Sequence, residues 1–151
     1  MSDCLEVFRG AARLALRDGY LSNGEKRLLV KLAHVLRLEE DEPRMVYDSI
    51  VENTRLSAGR ELGDQEKMLV YEQVLEAVLI HTDRSEDELM LVAYLRKAFQ
   101  ISDAEHRAIT RSLDRQLEQI IHRNVLQDFR MRLDDTMEKI GGIFDRIGIQ
   151  I

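Results

Sequence analysis

The two halves of this sequence align with each other without a gap when the chain is shifted by 63 positions. The shift places Ser22 on Ser85, Glu25 on Glu88 and Leu28 on Leu91, and it keeps apolar residues on apolar residues at many other positions. The apolar residues recur at the spacing of an amphipathic helix, and no stretch alternates with the period of a β-strand. A repeat of this length exceeds that of most solenoids. The pattern therefore predicts an all-α, internally duplicated bundle made of two three-helix units with a pseudo-twofold relation.

The unit boundaries follow from the alignment and from the glycines. We predict a duplicated helical domain over residues 1–119, with units at about 4–54 and 67–119. Residues 55–63, which contain two glycines, are the predicted connector. Because neither Gly nor Pro occurs between Gly63 and Gly141, the last helix of the second unit is expected to run long.

Three serines mark predicted helix starts. In a capping box, the N-cap Ser accepts from the backbone N–H three residues later, and a Glu at that position accepts from the N-cap N–H. The sequence predicts such boxes at Ser22–Glu25, Ser85–Glu88 and Ser102–Glu105. Pro43 favours the start of another helix, since its missing N–H costs nothing in the first turn.

Residues 120–151 differ from both units and are predicted to form a C-terminal amphipathic helix. Its apolar residues alternate steps of four and three, which is typical of a helix that packs against another helix. These residues are Leu133, Met137, Ile140, Phe144 and Ile147. Two interpretations remain open: the stripe closes the domain's own core, or it binds a protein partner, a second copy of the chain or a membrane surface.

The composition excludes several classes of function. The chain carries 22 Lys and Arg against 28 Asp and Glu, a net charge of −6, so no strong positive field attracts nucleic acid. Its single cysteine, Cys4, excludes an internal disulfide framework and a multi-cysteine metal centre. We find no signal-peptide pattern and no apolar stretch long enough to form a transmembrane segment. The expected location is cytoplasmic.

The first predicted loop carries Asp18-Gly19 followed by Glu25, and a weaker version, Asp83 with Glu88, follows in the second unit. With this pair of loops, the sequence resembles the TerB-like family, the helical domain of tellurite-resistance and related stress-response proteins, over roughly residues 5–119. The resemblance implies an all-α domain with internal pseudo-twofold symmetry. It also implies a divalent-metal site built from loop acids and a role as an interaction or sensing module.

The metal ligands implied by the resemblance are Asp18, Glu25, Asp83 and Glu88. Calcium, magnesium, manganese and zinc all remain open as the cation. His81 occupies the second-unit position that corresponds to Asp18, and an imidazole there would suit a transition metal better than calcium. The competing interpretation is that Glu25 completes a helix cap while Asp18-Gly19 ends the preceding helix.

No catalytic residue is predicted. The four histidines lack the spacing of a zinc hydrolase, and Cys4 has no base near it in sequence. The leading hypothesis is a non-enzymatic intracellular interaction or stress-response module that binds a divalent metal through its acidic loops. The first alternative is a structural scaffold or homo-oligomer assembled through the C-terminal apolar stripe. The second is an enzyme with an acidic cluster between the two units.

Overall fold

The computed structural model describes residues 3–56 and 59–147, with side chains described up to Phe144 in the last helix. Within these ranges the regular structure is helical and no β-strand forms, which confirms the all-α part of the predicted fold class. The helices are α1 (Cys4–Ala15), α2 (Asn23–Val35), α3 (Glu42–Glu52), α4 (Asp64–His81), α5 (Glu86–Ala98), α6 (Asp103–Leu117) and α7 (Arg123–Ile147).

Two of the three predicted capping boxes form. At the start of α2, the Ser22 hydroxyl accepts from the Glu25 N–H at 3.1 Å, and the Glu25 carboxylate accepts from the Ser22 N–H at 3.0 Å. Ser102 and Glu105 make the same pair of bonds at the start of α6. Local sequence therefore determines where these two helices begin.

The predicted box at Ser85 does not form, because the Ser85 side chain makes no capping hydrogen bond at the start of α5. The Glu88 side chain lies instead against the backbone of Gly24 on α2, where a Cβ would collide with its carboxylate. Packing between α2 and α5 thus overrides the local capping preference.

Helix α5 is the centre of the bundle. Every residue from Glu88 to Arg96 is buried, and α5 packs against α1, α4 and α7 and more lightly against α2. The other main helix pairs are α2 with α4, α1 with α3 and α1 with α2. This arrangement brings the loop before α2 and the loop before α5 to the same end of the molecule.

The C-terminal stripe lies on the core of its own chain. Leu133, Ile140 and Phe144 are buried, Met137 is partly buried, and α7 packs against α5 and α1. The Phe144 ring meets the Tyr94 ring of α5 edge to face at 5.6 Å. The side chain of Ile147, also predicted for the stripe, lies outside the described residues. The apolar stripe from which a binding partner was predicted is therefore covered by the chain's own core as far as Phe144.

Two boundaries differ from those expected. The long helix predicted after Ser102 ends at Leu117, and a turn over residues 118–122 leads into α7. The N–H groups of Ile120 and Ile121 both donate to the Leu117 carbonyl there, so the turn closes without glycine or proline. At the other boundary, α4 begins at Asp64 rather than near residue 67.

Candidate functional site

The two predicted acidic loops lie beside each other, joined by an ion pair. Arg17, just after α1, reaches Asp87 in the first turn of α5, with 2.6 Å between Nη2 and Oδ1. Its Nη1 also donates to the Leu14 carbonyl at 2.7 Å. The same guanidinium lies 4.0 Å from Glu25 Oε2. We call this region, formed by Arg17, Glu25, Asp87 and Glu88, the loop junction.

Glu25 is almost completely buried at the loop junction, with 1% of its surface exposed. Its Oε1 accepts the capping bond from the Ser22 N–H, while Oε2 has no hydrogen-bond partner. Burial raises the pKa of the carboxyl group and the nearby Asp87 charge adds to this, whereas the Ser22 bonds and Arg17 lower it. Glu25 is therefore a helix cap that also presents a spare acceptor.

Glu88 is the second buried glutamate of the junction, with 3% of its surface exposed and Oε2 again without a partner. Desolvation is the main cause that raises the pKa of its carboxyl group, and the charges of Asp87 and Asp83 raise it further, whereas hydrogen bonds from the backbone of Glu88 and Ser85 lower it. Among the side chains that the structure describes, no arginine or lysine forms an ion pair with it. Burial of this carboxylate therefore costs free energy that the backbone hydrogen bonds offset only in part.

A surface cleft of about 490 Å³ opens beside Glu88, between the start of α2 and the loop from α4 to α5. It is lined by Asn23, Gly24, Arg27, Ile80, His81, Thr82, Asp83 and Glu88.

The four predicted metal ligands do not form one group in the structure. Asp83 and Glu88 share the cleft, but neither Asp18 nor Glu25 lines it. Asp18 is exposed, and its Oδ1 accepts from the Tyr20 N–H at 3.2 Å, so it stabilises its own turn. Among the described residues, no three His, Cys, Asp or Glu side chains are grouped closely enough to hold a metal ion by themselves.

Sequence reasoning missed three residues that shape this site: Arg17, Asp87 and Gly24. Arg17 and Asp87 are 70 positions apart, and nothing in their sequence context pairs them. Gly24 matters because its missing side chain leaves room for the Glu88 carboxylate. The alignment of the two halves places Gly24 on Asp87, and this contrast was a signal that the two loops differ at this position.

Replacing Glu88 by Gln is expected to stabilise the protein at pH 7 by about 1 kcal/mol, because a neutral amide costs less to bury than an unpaired carboxylate. The pKa of Glu88 is higher in the folded protein than in the unfolded chain, so its protonation stabilises the fold at low pH. This stabilisation is lost as the pH rises through the pKa of the folded protein. The gain should therefore shrink on acidification toward pH 4.5. Urea unfolding of the native protein and the variant at several pH values measures this gain in the free energy of unfolding.

Glu105→Gln is the matched control for that experiment. Glu105 occupies the same position in its helix, but it is exposed, and its hydrogen bonds with Ser102 lower the pKa of its carboxyl group. This substitution should be neutral or slightly destabilising at pH 7. Equal effects of the two substitutions would show that burial of Glu88 costs nothing.

Comparison with known proteins identifies no relative: no family model, no curated protein and no solved structure matches the chain. None of the described helices, including the 25-residue α7, combines the length and apolar character that crossing a bilayer requires.

Proposed function

We propose that this chain is a non-enzymatic intracellular interaction module of the TerB-like kind, whose loop junction binds a divalent cation through Glu25 and Glu88. The observation that carries the proposal is the pair of buried glutamates at the junction, one from each predicted unit, each with an unpartnered oxygen. The resemblance to stress-response proteins rests on the Asp18-Gly19 and Glu25 motif, and the role in stress response is part of the proposal.

Several features support a duplicated origin for the two loops. Helices α2 and α5 have bounds that differ by the same 63 positions as the sequence alignment. Arg37 and Gln100, which correspond under this shift, both adopt left-handed backbone conformations, with φ of 55° and 54°. In addition, α1 packs against α5 as α4 packs against α2. In this arrangement Glu25 and Glu88 are corresponding residues of two related helix starts.

The ligand chemistry favours a hard cation that prefers oxygen. Glu25 and Glu88 supply carboxylate oxygens only, and the absence of a larger ligand group among the described residues leaves the remaining positions to water or backbone carbonyls. Mg²⁺ and Mn²⁺ bind in this way, through one or two carboxylates and several waters. Zinc, which favours four nitrogen and sulfur ligands in structural sites, fits these residues less well.

The proposed mechanism links the cation to the surface through the two helices that begin at the junction. A cation bound by Glu25 and Glu88 would remove the cost of their buried charges and pull the starts of α2 and α5 together. Since α2 packs on α4 and α5 packs on α1 and α7, a small shift at the junction would reach most of the bundle.

The scaffold alternative has less support, and a catalytic role for Cys4 is disfavoured as well. The Cys4 thiol is buried, and burial raises its pKa, which disfavours the reactive thiolate. The stripe proposed for oligomerisation is covered by the chain itself up to Phe144.

Calorimetric titration of the chelator-treated protein with Mg²⁺, Mn²⁺, Ca²⁺ and Zn²⁺ tests the cation site. We expect saturable binding of Mg²⁺ or Mn²⁺ that weakens at least tenfold in Glu25→Gln and in Glu88→Gln. The double variant should show no binding. Retained binding in the double variant would place the cation elsewhere, and absence of binding to the native chain would remove the metal from the proposal.

Two substitutions serve as controls in this titration. Glu105→Gln changes a capping glutamate like Glu25 at an exposed position, and Glu86→Gln removes an exposed charge from the first turn of α5. Both should bind the cation like the native protein. Weaker binding in either variant would indicate a general effect of charge rather than coordination.

A further inference from the structure

The cleft beside Glu88 has properties of a binding site in its own right. Its volume of about 490 Å³ lies within the range of small-ligand pockets and is far larger than a metal ion needs. Because Glu25 does not line it, the cleft extends beyond the proposed cation site.

The one almost fully buried acceptor in this cleft is the Glu88 carboxylate, whose Oε2 has no hydrogen-bond partner. Gly24 allows this arrangement, because any larger residue at position 24 would collide with the carboxylate. A buried, unpaired acceptor of this kind is satisfied by a donor that carries positive charge.

The walls of the cleft determine which cation it suits. The Arg27 guanidinium donates to the His81 carbonyl at 2.8 Å, which holds it at one wall, and Asp83 is exposed on the loop before α5. The formal charges of Arg27, Asp83 and Glu88 sum to −1. The Asn23 side chain also provides a donor that suits a carbonyl oxygen. The cleft thus combines a site for a cationic group with a donor for a peptide backbone.

We propose that this cleft is the partner-binding site of the module and that it accepts the protonated lysine side chain of a partner protein, whose ammonium group is bound by Glu88 and Asp83. The inference rests on the proposed function for the existence of a protein partner. A lysine ammonium and a divalent cation would both use Glu88, so the two ligands compete. The cation would in this way control partner binding.

The test is an NMR titration of the full chain, in buffer that contains a chelator, with Nα-acetyl-lysine amide, whose only charge is the ε-ammonium. We expect saturable binding in the millimolar range, with shift changes centred on Gly24, Asp83 and Glu88. The ε-acetylated analogue should not bind. Glu88→Gln should weaken binding about tenfold or more, since it removes a charge-assisted hydrogen bond.

Three further variants make the test specific. Glu86→Gln carries the same change of charge two residues away and should bind like the native chain. Arg27→Gln should tighten binding, because it removes a like charge from the wall. Glu25→Gln should leave lysine binding intact while it weakens metal binding at least tenfold, so that failure of the metal site and failure of the lysine site are distinguishable.

Several outcomes would overturn the inference. These are binding of the acetylated analogue, weaker binding in Arg27→Gln, and native-like binding in Glu88→Gln. Tighter binding of spermidine than of the capped lysine would identify a free polyamine, rather than a partner protein, as the ligand.

Discussion

Replacing Ile140 by Ala is expected to lower the free energy of unfolding by about 3 kcal/mol. Ile140 lies in the middle of α7, has 0% of its side chain exposed and belongs to the core shared with α5. Truncation of a fully buried isoleucine removes apolar contact and leaves a cavity, which together cost roughly 2–5 kcal/mol. Urea unfolding followed by circular dichroism measures the loss directly.

Met131→Ala on the same helix is the matched control for this experiment. The Met131 side chain is 69% exposed, so its truncation should change stability by no more than about 0.5 kcal/mol. If Ile140→Ala were equally mild and instead lowered the mass of the particle in solution, the C-terminal stripe would be an interface between copies. That result would restore the scaffold alternative.

Acidification from pH 6.5 to pH 4 is expected to destabilise the protein by about 2–3 kcal/mol through His106 alone. His106 is buried on α6, and its Nδ1 shares a hydrogen bond of 2.9 Å with the Tyr71 hydroxyl. Burial and, secondarily, the charge of Arg96 lower its pKa from 6.5 to about 4. Each tenfold loss of proton affinity is worth about 1.4 kcal/mol.

The sign of the His106 effect follows from proton linkage. Between pH 6.5 and pH 4, His106 binds a proton in the unfolded chain but not in the folded protein. The contribution of neutral His106 to stability is therefore present above pH 6.5 and is lost on acidification. Asp134 on α7 and Asp103 on α6 oppose this effect, while Arg130 on α7 reinforces it. Protonation of Glu88 stabilises the fold on acidification, which is opposite to the effect of His106. The contribution of His106 must therefore be measured by comparing the native protein with a variant.

His106→Gln isolates the contribution, because the amide can still accept a hydrogen bond from Tyr71 but does not titrate. The difference between native and variant unfolding free energies should change across this pH range by about 2–3 kcal/mol. His34→Gln, at an exposed position on α2, is the matched control for the replacement of a histidine. A profile of His106→Gln parallel to the native one would show that folding does not lower the pKa of His106.

The helical fold and several of its helix boundaries could be predicted from the sequence. Apolar spacing predicted an all-α chain, and the pairs Ser22–Glu25 and Ser102–Glu105 located two helix starts. The predictions succeeded because helix periodicity and capping depend on residues within one turn of each other. The sequence also identified Glu25 and Glu88 as residues of interest, although it did not show that both are buried.

The tertiary structure decided the features that depend on contacts between distant residues. Packing of α2 against α5 placed Glu88 on Gly24, and the Ser85 side chain forms no cap. Packing of α1 against α5 brought Arg17 and Asp87 together in an ion pair. The amphipathic pattern of α7 was compatible with packing in cis or in trans, and burial against α5 selected the first. Local sequence determines which segments are helices and which faces are apolar. The cleft and the buried charges arise only where two helices meet, because the burial and desolvation of a group depend on every element packed around it.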